Sequence, residues 1–484
     1  MADHLIGMLP PVPDCVTSAR ILLIATVFFL GVVARLLRNL APHGTRRGLS
    51  IQVTDSAAAH RALVEHSASF LNRPIGVVPS GILTVERHYN ILAAPYGPYW
   101  RAVRRNVTAG VLRPSNLALL GDTRARVLGH LVRDLRSGAP AAESIYFSVY
   151  SLIAEMCFGE EVVSELGETR LRAMHKLQTD FLSVLPSFGV FVRYPRMGKL
   201  LYPSRWRQLL ALRRRQDESY LRLVAKVKKS NTDRKDDSRV KTYVESLLDL
   251  RILEDGGRAL TDGEFVSLIS EFLGAGTETT ASTLQWTMAN LIKRPDLQQK
   301  LRAEVDAVPC DQRSIIEEAE LSCMPYLKAT LLESLRRHPP LPFVLRHVDR
   351  EVAAKVLGLT NVPEGGAAVN FLVGKIGRDP AAWSDPTEFK PERFMSTDGY
   401  CKNADLTCTR ELRMMPFGAG RRACPAVAPA MLHLEYFLAN LIKEFEWWEA
   451  DGNGNAVDLT EFHGFFVTIM NRPLRARLVP RQAE

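Results

Sequence analysis

From about residue 49 onward, apolar side chains recur along most of the chain with a helical period. Residues 124–137 (RARVLGHLVRDLRS), 265–295 (FVSLISEFLGAGTETTASTLQWTMANLIKRP) and 324–340 (MPYLKATLLESLRRHPP) read as helices. The middle one is the longest, and Pro295, which lacks an amide hydrogen and clashes with the preceding turn, ends it. Residues 50–55 (SIQVTD), 351–374 (EVAAKVLGLTNVPEGGAAVNFLVG) and 464–480 (GFFVTIMNRPLRARLVP) read as short strands and hairpins, with a turn at Pro-Glu-Gly-Gly. No internal repeat and no long Pro/Gly-rich polar stretch divides this region. The pattern predicts a mainly α fold with a minor β component, one large helical domain carrying small β-sheets. The charged stretch 226–241 (KVKKSNTDRKDDSRVK) reads as an exposed loop or frayed helix end.

One run stands apart. Residues 21–34 (ILLIATVFFLGVVA) are uninterrupted by charge and as a helix cover ~21 Å of a hydrocarbon core of ~30 Å. With Arg20 and Arg35 snorkelling and the helix continued through Leu37, the run spans a bilayer. Arg20 alone precedes it, whereas Arg35, Arg38, Arg46 and Arg47 follow, which places the bulk of the chain on the cytosolic side. A cleaved signal peptide ending near Val32 and Ala34 is the alternative. The expected division is a membrane anchor and short linker over residues 1–45 and one folded domain over residues 46–484.

Composition narrows the partners. The 484 residues are 46% hydrophobic and 24% charged, within the globular range, and 62 Lys and Arg against 53 Asp and Glu leave a net charge of +9. That surplus suits an anionic membrane or an acidic protein. No basic block is interleaved with aromatics, so nucleic acid is not an expected partner. Cys15, Cys157, Cys310, Cys323, Cys401, Cys408 and Cys424 form no Cys-x-x-Cys and no Cys/His spacing of a zinc site. Their odd number favours the uncleaved anchor over a secreted product, and reduced thiols fit the cytosol.

One of the seven lies in a distinctive setting, residues 417–426 (FGAGRRACPA). Gly418 and Gly420 would let the backbone bend tightly and lie close to a flat ligand, and Phe417 would shield the sulfur of Cys424 from water. Pro425 suits the first turn of a helix over residues 426–447, whose positive end would favour the thiolate. A thiolate beside a small residue, Ala426, meets the requirement of an axial ligand to haem iron; the plain alternative is a buried structural thiol.

The loop resembles the haem-binding signature of the cytochrome P-450 superfamily of haem-thiolate monooxygenases, with Ala426 where the pattern more often has Gly. Other motifs of that family follow in order. Taken singly each is unremarkable: Glu and Arg three apart in ESLR are common on helix surfaces, and helical threonines usually bond back to the preceding turn. By resemblance, Glu333 and Arg336 of ESLR join Arg393 of PERF in a buried ionic triad supporting the cysteine loop. Residues 275–280 (AGTETT) resemble the oxygen-binding stretch of the central helix: Ala275 and Gly276 open a groove, Thr279 positions a water, and Glu278 links to a proton source. Residues 100–104 (WRAVR) imply that Trp100, Arg104 and Arg422 hold the haem propionates, with His347 as a fourth. Where many members have proline before that histidine this chain has Arg346, leaving open which of the two reaches the propionate. Ile91, Leu92, Phe272, Ala275, Thr279, Phe343, Val344, Leu345, Phe465 and Phe466 are the expected walls of a hydrophobic substrate cavity.

The stretches HYNILAAPYGPYWRAVRRN, MCFGEE and AMLHLEYFLANLIKEFEW look most like plant microsomal members, in particular the group numbered family 89. The resemblance implies a P-450 fold, haem b with a thiolate from Cys424, O2 as co-substrate, and NADPH electrons through a flavoprotein reductase. It also implies a single-pass protein of the endoplasmic reticulum membrane acting on a hydrophobic small molecule. Arg101, Arg105 and Arg421 are the expected docking charges for an acidic reductase. Two other readings keep the haem: a lyase or isomerase of hydroperoxides, against which Glu278 and Thr279 argue, and a haem-binding pseudo-enzyme. One departure bears on the second. Only residues 38–49 (RNLAPHGTRRGL) stand between the apolar run and the first strand, where microsomal members carry a hinge, a helix and a strand. A shortened gene model is the expected cause, with an unpaired strand edge as its structural result.

Overall fold

The computed structural model describes residues 50–74, 90–232, 240–308, 315–402, 404–450, 456–463 and 467–481. The expected anchor and linker and two cavity residues, Phe465 and Phe466, lie outside them. The chain runs from β1 (Ser50–Val53) through α1 (Ser56–His60) and a π-helical turn (Arg61–Glu65) to α2 (Pro98–Asn106), α3 (Gly121–Arg136), α4 (Ala141–Phe158), α5 (Glu168–Val184) and α6 (Pro203–Thr232). Then come α7 (Asp262–Lys293), α8 (Pro295–Asp306), α9 (Pro325–Arg337), β2 (Val344–Val348), β3 (Ala367–Phe371) and α10 (Val427–Glu444). Strands β4 (Phe445–Glu449), β5 (Glu461–His463), β6 (Thr468–Met470) and β7 (Ala476–Pro480) follow, and shorter helices fill the connections. Helix dominates and the sheets are small, which is the fold class the periodicity predicts.

Helix α7 is the axis of the molecule because it is apolar nearly all round, and such a helix is stable only when enclosed. It starts at a capping box: the Thr261 hydroxyl accepts from the Glu264 amide at 3.4 Å, and the Glu264 carboxylate accepts from the Thr261 amide at 2.7 Å. It ends at Lys293, and Pro295 opens α8 in the first helical position. Helix α4 packs along α7, and Gly276 is where they meet: a Cβ there would come within 2.9 Å of the Ile153 side chain. Gly276 therefore allows close contact between the two helices.

Two sequence expectations change. Residues 351–357 do not extend a hairpin; Arg350–Leu357 is a helix that buries Ala353 and Val356, three apart, and closes on Gly358 in the left-handed conformation. The last helix stops at Glu444, because Phe445 and Trp447 are buried in alternation, a period of two that belongs to β4. Strand β3 pairs in parallel with β1 and antiparallel with β2. Strand β4 pairs with β7, and β5 with β6. The outer edge of β1 meets no strand among the described residues.

The apolar interior falls into a large cluster among the helices and a smaller one beneath the three-stranded sheet. The cysteine loop lies on their seam: Met415 and Ala419 belong to the sheet cluster, while Phe417 packs on the helical one. At the end of α9, Arg336 donates Nε and Nη2 to the Glu333 carboxylate, both at 2.7 Å, and Arg393 Nε donates to the same carboxylate at 3.2 Å. The remaining donors of Arg336 reach the carbonyls of Gly377 at 2.8 Å, Pro386 at 2.9 Å and Glu388 at 3.2 Å. The triad thus pins an irregular segment that has no sheet to hold it. Glu333 and Arg336 have no exposed side-chain surface. Removing Arg336 strands a buried carboxylate, so Arg336→Ala is expected to lose about 3–5 kcal/mol in denaturant unfolding, with Glu333→Gln less damaging because the amide keeps its acceptor.

Candidate functional site

The loop around Cys424 is shaped by backbone geometry before any side chain acts. Gly418 and Gly420 have φ of +71° and +70°, and the Cys424 amide donates to the Phe417 carbonyl at 2.8 Å, closing the loop. A Cβ on Gly420 would overlap the Leu63 carbonyl oxygen. The second glycine is therefore required by the π-helical turn packed on it. Pro425 lies in the turn before α10, which starts at Val427 with Ala426 as its cap residue. Cys424 is half-buried, and its Sγ accepts from the Ala426 amide at 3.3 Å. Burial pushes the thiol pKa up, opposed by that amide and by the Arg104 guanidinium.

Arginines surround the loop. Arg104 Nη2 donates to the Ala423 carbonyl at 2.5 Å. Arg422 donates to Ile91 and Ala94 carbonyls at 3.3 and 2.6 Å and lies over the Trp100 ring, 4.8 Å from its centroid. Trp100 is buried and donates its indole N–H to the Ile91 carbonyl at 3.1 Å. Arg73 bonds the Leu92 carbonyl, and Arg346, 1% exposed, donates to the Leu345 carbonyl at 2.9 Å. Burial lowers all four guanidinium pKa values, Arg73 to about 10 and Arg422 to about 9, and the groups repel one another. One carboxylate answers them. Glu271 of α7 accepts from the Ile91 and Leu92 amides at 2.7 and 2.6 Å and attracts Arg73 and Arg104, while burial raises it to about 7.

Among the described residues four cations stand against one acid, and the buried Nε of Arg422 has no partner. A ligand bearing two carboxylates fits that deficit, as haem with its propionates does. His347 is not in this group. Adjacent residues of a strand face opposite sides, so Arg346 joins the arginines while the half-buried His347 turns toward Asp349, 4.0 Å away. Sequence reasoning missed Arg73 and Glu271. Glu271, seven residues before Glu278 in an otherwise apolar helix, carried a readable signal, since unpaired acids are seldom enclosed; nothing in the sequence around Arg73 marks it.

Along α7, Glu271, Phe272, Ala275, Gly276, Glu278 and Thr279 keep accessible surface where their neighbours are buried. Ala275 is the most open, in the middle of a helix otherwise enclosed. The Thr279 hydroxyl donates to the Ala275 carbonyl at 2.8 Å. Phe272 stacks on Tyr243 at 4.4 Å. Ile91 and Leu92 act through their backbones, as described. Val344 is buried in the sheet cluster, while Phe343 and Leu345 remain half-buried, so the strand's period divides a set expected to share one wall.

A family model described as cytochrome P450 matches residues 48–472. The chain is 38% identical to cytochrome P450 89A9 of Arabidopsis thaliana, over 90% of this chain and 84% of that one. It is 29% identical to amorpha-4,11-diene 12-monooxygenase of Artemisia annua, covering 89% and 83%, and 28% identical to flavonoid 3'-monooxygenase of Arabidopsis thaliana, covering 83% and 77%. A solved zebra fish cytochrome P450 with progesterone has the same fold, with a TM-score of 0.68, 21% identity, and coverage of 90% of this chain and 94% of that one.

Glu278 gives a pH signature. Burial raises its pKa from 4.5 to about 7, so its contribution to stability is complete below 4.5 and is lost as pH rises through 7. Glu278→Gln should remove this dependence: the parent-minus-variant unfolding free energy should fall by about 1–2 kcal/mol between mildly acidic and mildly alkaline buffer, after allowance for solvent screening.

Proposed function

Because the chain belongs to the cytochrome P450 family and is an oxidoreductase of the monooxygenase kind, we propose that it inserts one atom of O2 into a hydrophobic small molecule, using electrons from an NADPH-dependent reductase. The observation that carries this reading is the Cys424 loop joined to an uncompensated arginine cluster. One sulfur ligand and a seat for two carboxylates stand together. Haem bound there supplies the oxygen-activating chemistry, its thiolate favouring O–O cleavage.

The chain's own residues have distinct tasks. Cys424 would be the metal ligand, with the Ala426 amide holding its sulfur and Phe417 limiting water. Trp100, Arg104 and Arg422 would hold the propionates, and Arg346 would take the place expected of His347. Glu271 fixes residues 91 and 92, and through the Ile91 carbonyl it fixes Trp100 and Arg422. Glu278, half-protonated near neutral pH, gives up protons, and Thr279 exchanges its bond to Ala275 for one to an incoming water. Phe272, Ala275, Phe343 and Leu345 offer mainly apolar surface, which suits a hydrophobic substrate held by shape.

The proposed setting is the endoplasmic reticulum membrane, with residues 46–484 as a cytosolic catalytic domain. No described helix is long and apolar enough to cross a membrane, and the candidate span lies outside the described residues. Support comes from Leu200, Leu201 and Tyr202, exposed at 73%, 62% and 42% among Arg196, Lys199 and Arg205. Apolar residues framed by cations suit an anionic lipid surface. For the reductase, Arg105 and Arg421 are exposed, whereas Arg101 lies 3.8 Å from Glu254 and is partly neutralised.

Two measurements follow. The dithionite-reduced full-length protein under carbon monoxide should show the red-shifted Soret band of a thiolate-ligated haem, absent in Cys424→Ala; an unshifted parent band would refute Cys424 as ligand. Arg105→Glu should raise the apparent KM for reductase about two- to fivefold at unchanged haem content, and unaltered reduction kinetics would move the docking face elsewhere.

A further inference from the structure

Where α4, α5 and α7 pack together, a line of polar groups crosses a wall that is otherwise apolar. Tyr146 and Tyr150 stand on α4, His175 on α5 and Glu278 on α7. The His175 ring lies on Tyr150 at 4.7 Å and parallels Tyr146 at 6.5 Å and 27°. Tyr146 in turn feels the charge of Glu278. His175 and Tyr146 are half-buried, so the line begins at the surface, while Tyr150 has no exposed surface. Val149 and Ile153 flank it and are buried.

Two atoms of this line are anomalous. The Tyr150 hydroxyl and His175 Nε2 are enclosed, and neither has a hydrogen-bond partner among the described residues. Buried polar atoms of this kind are normally satisfied, and two of them on neighbouring rings form the setting of an internal water. We infer that Tyr146 and His175 are positioning residues through which Glu278 exchanges its proton with solvent, by way of a water held between the Tyr150 hydroxyl and His175 Nε2. The inference rests on the reading of Glu278 as proton donor. Each proton that Glu278 gives up is replaced by one from bulk water, with no bond to carbon formed and no change of oxidation state.

The surroundings suit the task. The charged groups that act on the line are Glu278, on Tyr146, and Arg172, on His175. The Arg172 guanidinium lies over Phe147, 3.8 Å from its centroid, and together with burial it holds His175 at about 4. The imidazole is then neutral under physiological conditions, with one nitrogen donating and the other accepting, as a relay requires. Burial also keeps Tyr146 and Tyr150 in the phenol form, able to donate and accept.

The test uses the resting, haem-loaded, full-length protein moved rapidly from H2O to D2O below the midpoint of Glu278. The carbonyl stretch of protonated Glu278 is identified by its loss in Glu278→Gln, and its shift on deuteration is timed. Tyr146→Phe and His175→Phe, which keep the rings, should slow exchange about tenfold at unchanged haem content and melting temperature. His175→Gln, which keeps a donor and an acceptor, should restore most of the rate even if the Phe variant folds poorly. Solvent isotope effects on reductase-driven NADPH consumption are read in parallel. Parental exchange in both Phe variants overturns the inlet; if Glu278→Gln still changes the isotope effect, the proton-donor reading survives without it. An isotope effect indifferent to Glu278→Gln, or no carboxyl band lost in that variant, overturns both.

Discussion

Four guanidinium groups and one carboxylate share the interior beside Cys424, and this imbalance organises what surrounds it. Arg73, Arg104, Arg346 and Arg422 cannot be neutralised by losing protons at physiological pH, so each must find acceptors. The backbone supplies them: the carbonyls of residues 91, 92, 94, 345 and 423 point at the cluster. Trp100 adds the face of its ring beneath Arg422. Carbonyls and rings carry partial charges only, so the cluster keeps an affinity for anions. The irregular backbone on both sides of the cluster is therefore structured as a set of acceptors, with Glu271 holding the amides that the same backbone must also satisfy.

The fold class was legible because helical periodicity is long and repeated, and Pro295 punctuates it where α7 ends. Legibility failed where two periods compete over a few residues. Residues 351–357 are rich in valine and alanine and suit either element until Gly358 and the buried pair Ala353 and Val356 decide for helix. Phe445 and Trp447 continue an apolar helical pattern but alternate in burial once β7 is available as partner.

At the site, local motifs located Cys424, Trp100, Arg104 and Arg422 because each carries its neighbours with it. Properties set by distant contacts were not readable. Close packing at Gly420 is set by Leu63 and at Gly276 by Ile153, and the parity of β2 puts Arg346 and His347 on opposite faces. The middle of α7 illustrates the point further. Gln178 of α5 donates to the Ser270 carbonyl at 2.9 Å and accepts from Tyr220 of α6 at 2.9 Å and from the Ser270 hydroxyl at 3.1 Å. One residue on, Glu271 grips residues 91 and 92. A single turn of α7 is thereby fastened to two helices and to a loop, and no local pattern of the three segments announces it.

These fastenings also set an order of assembly. The bond from Ile91 to Glu271 joins residues 180 positions apart, that from Arg104 to Ala423 spans 319, and that from Arg422 to Ala94 spans 328. Closing such separations costs chain entropy that only late contacts recover, and during synthesis the second partner does not yet exist for most of the time the first is waiting. The wall beside Cys424 can be completed only after nearly the whole chain has left the ribosome. A nascent chain therefore presents its arginine-rich segments open, and a prosthetic group that bridges them would act as the closing stitch of folding as well as the seat of chemistry.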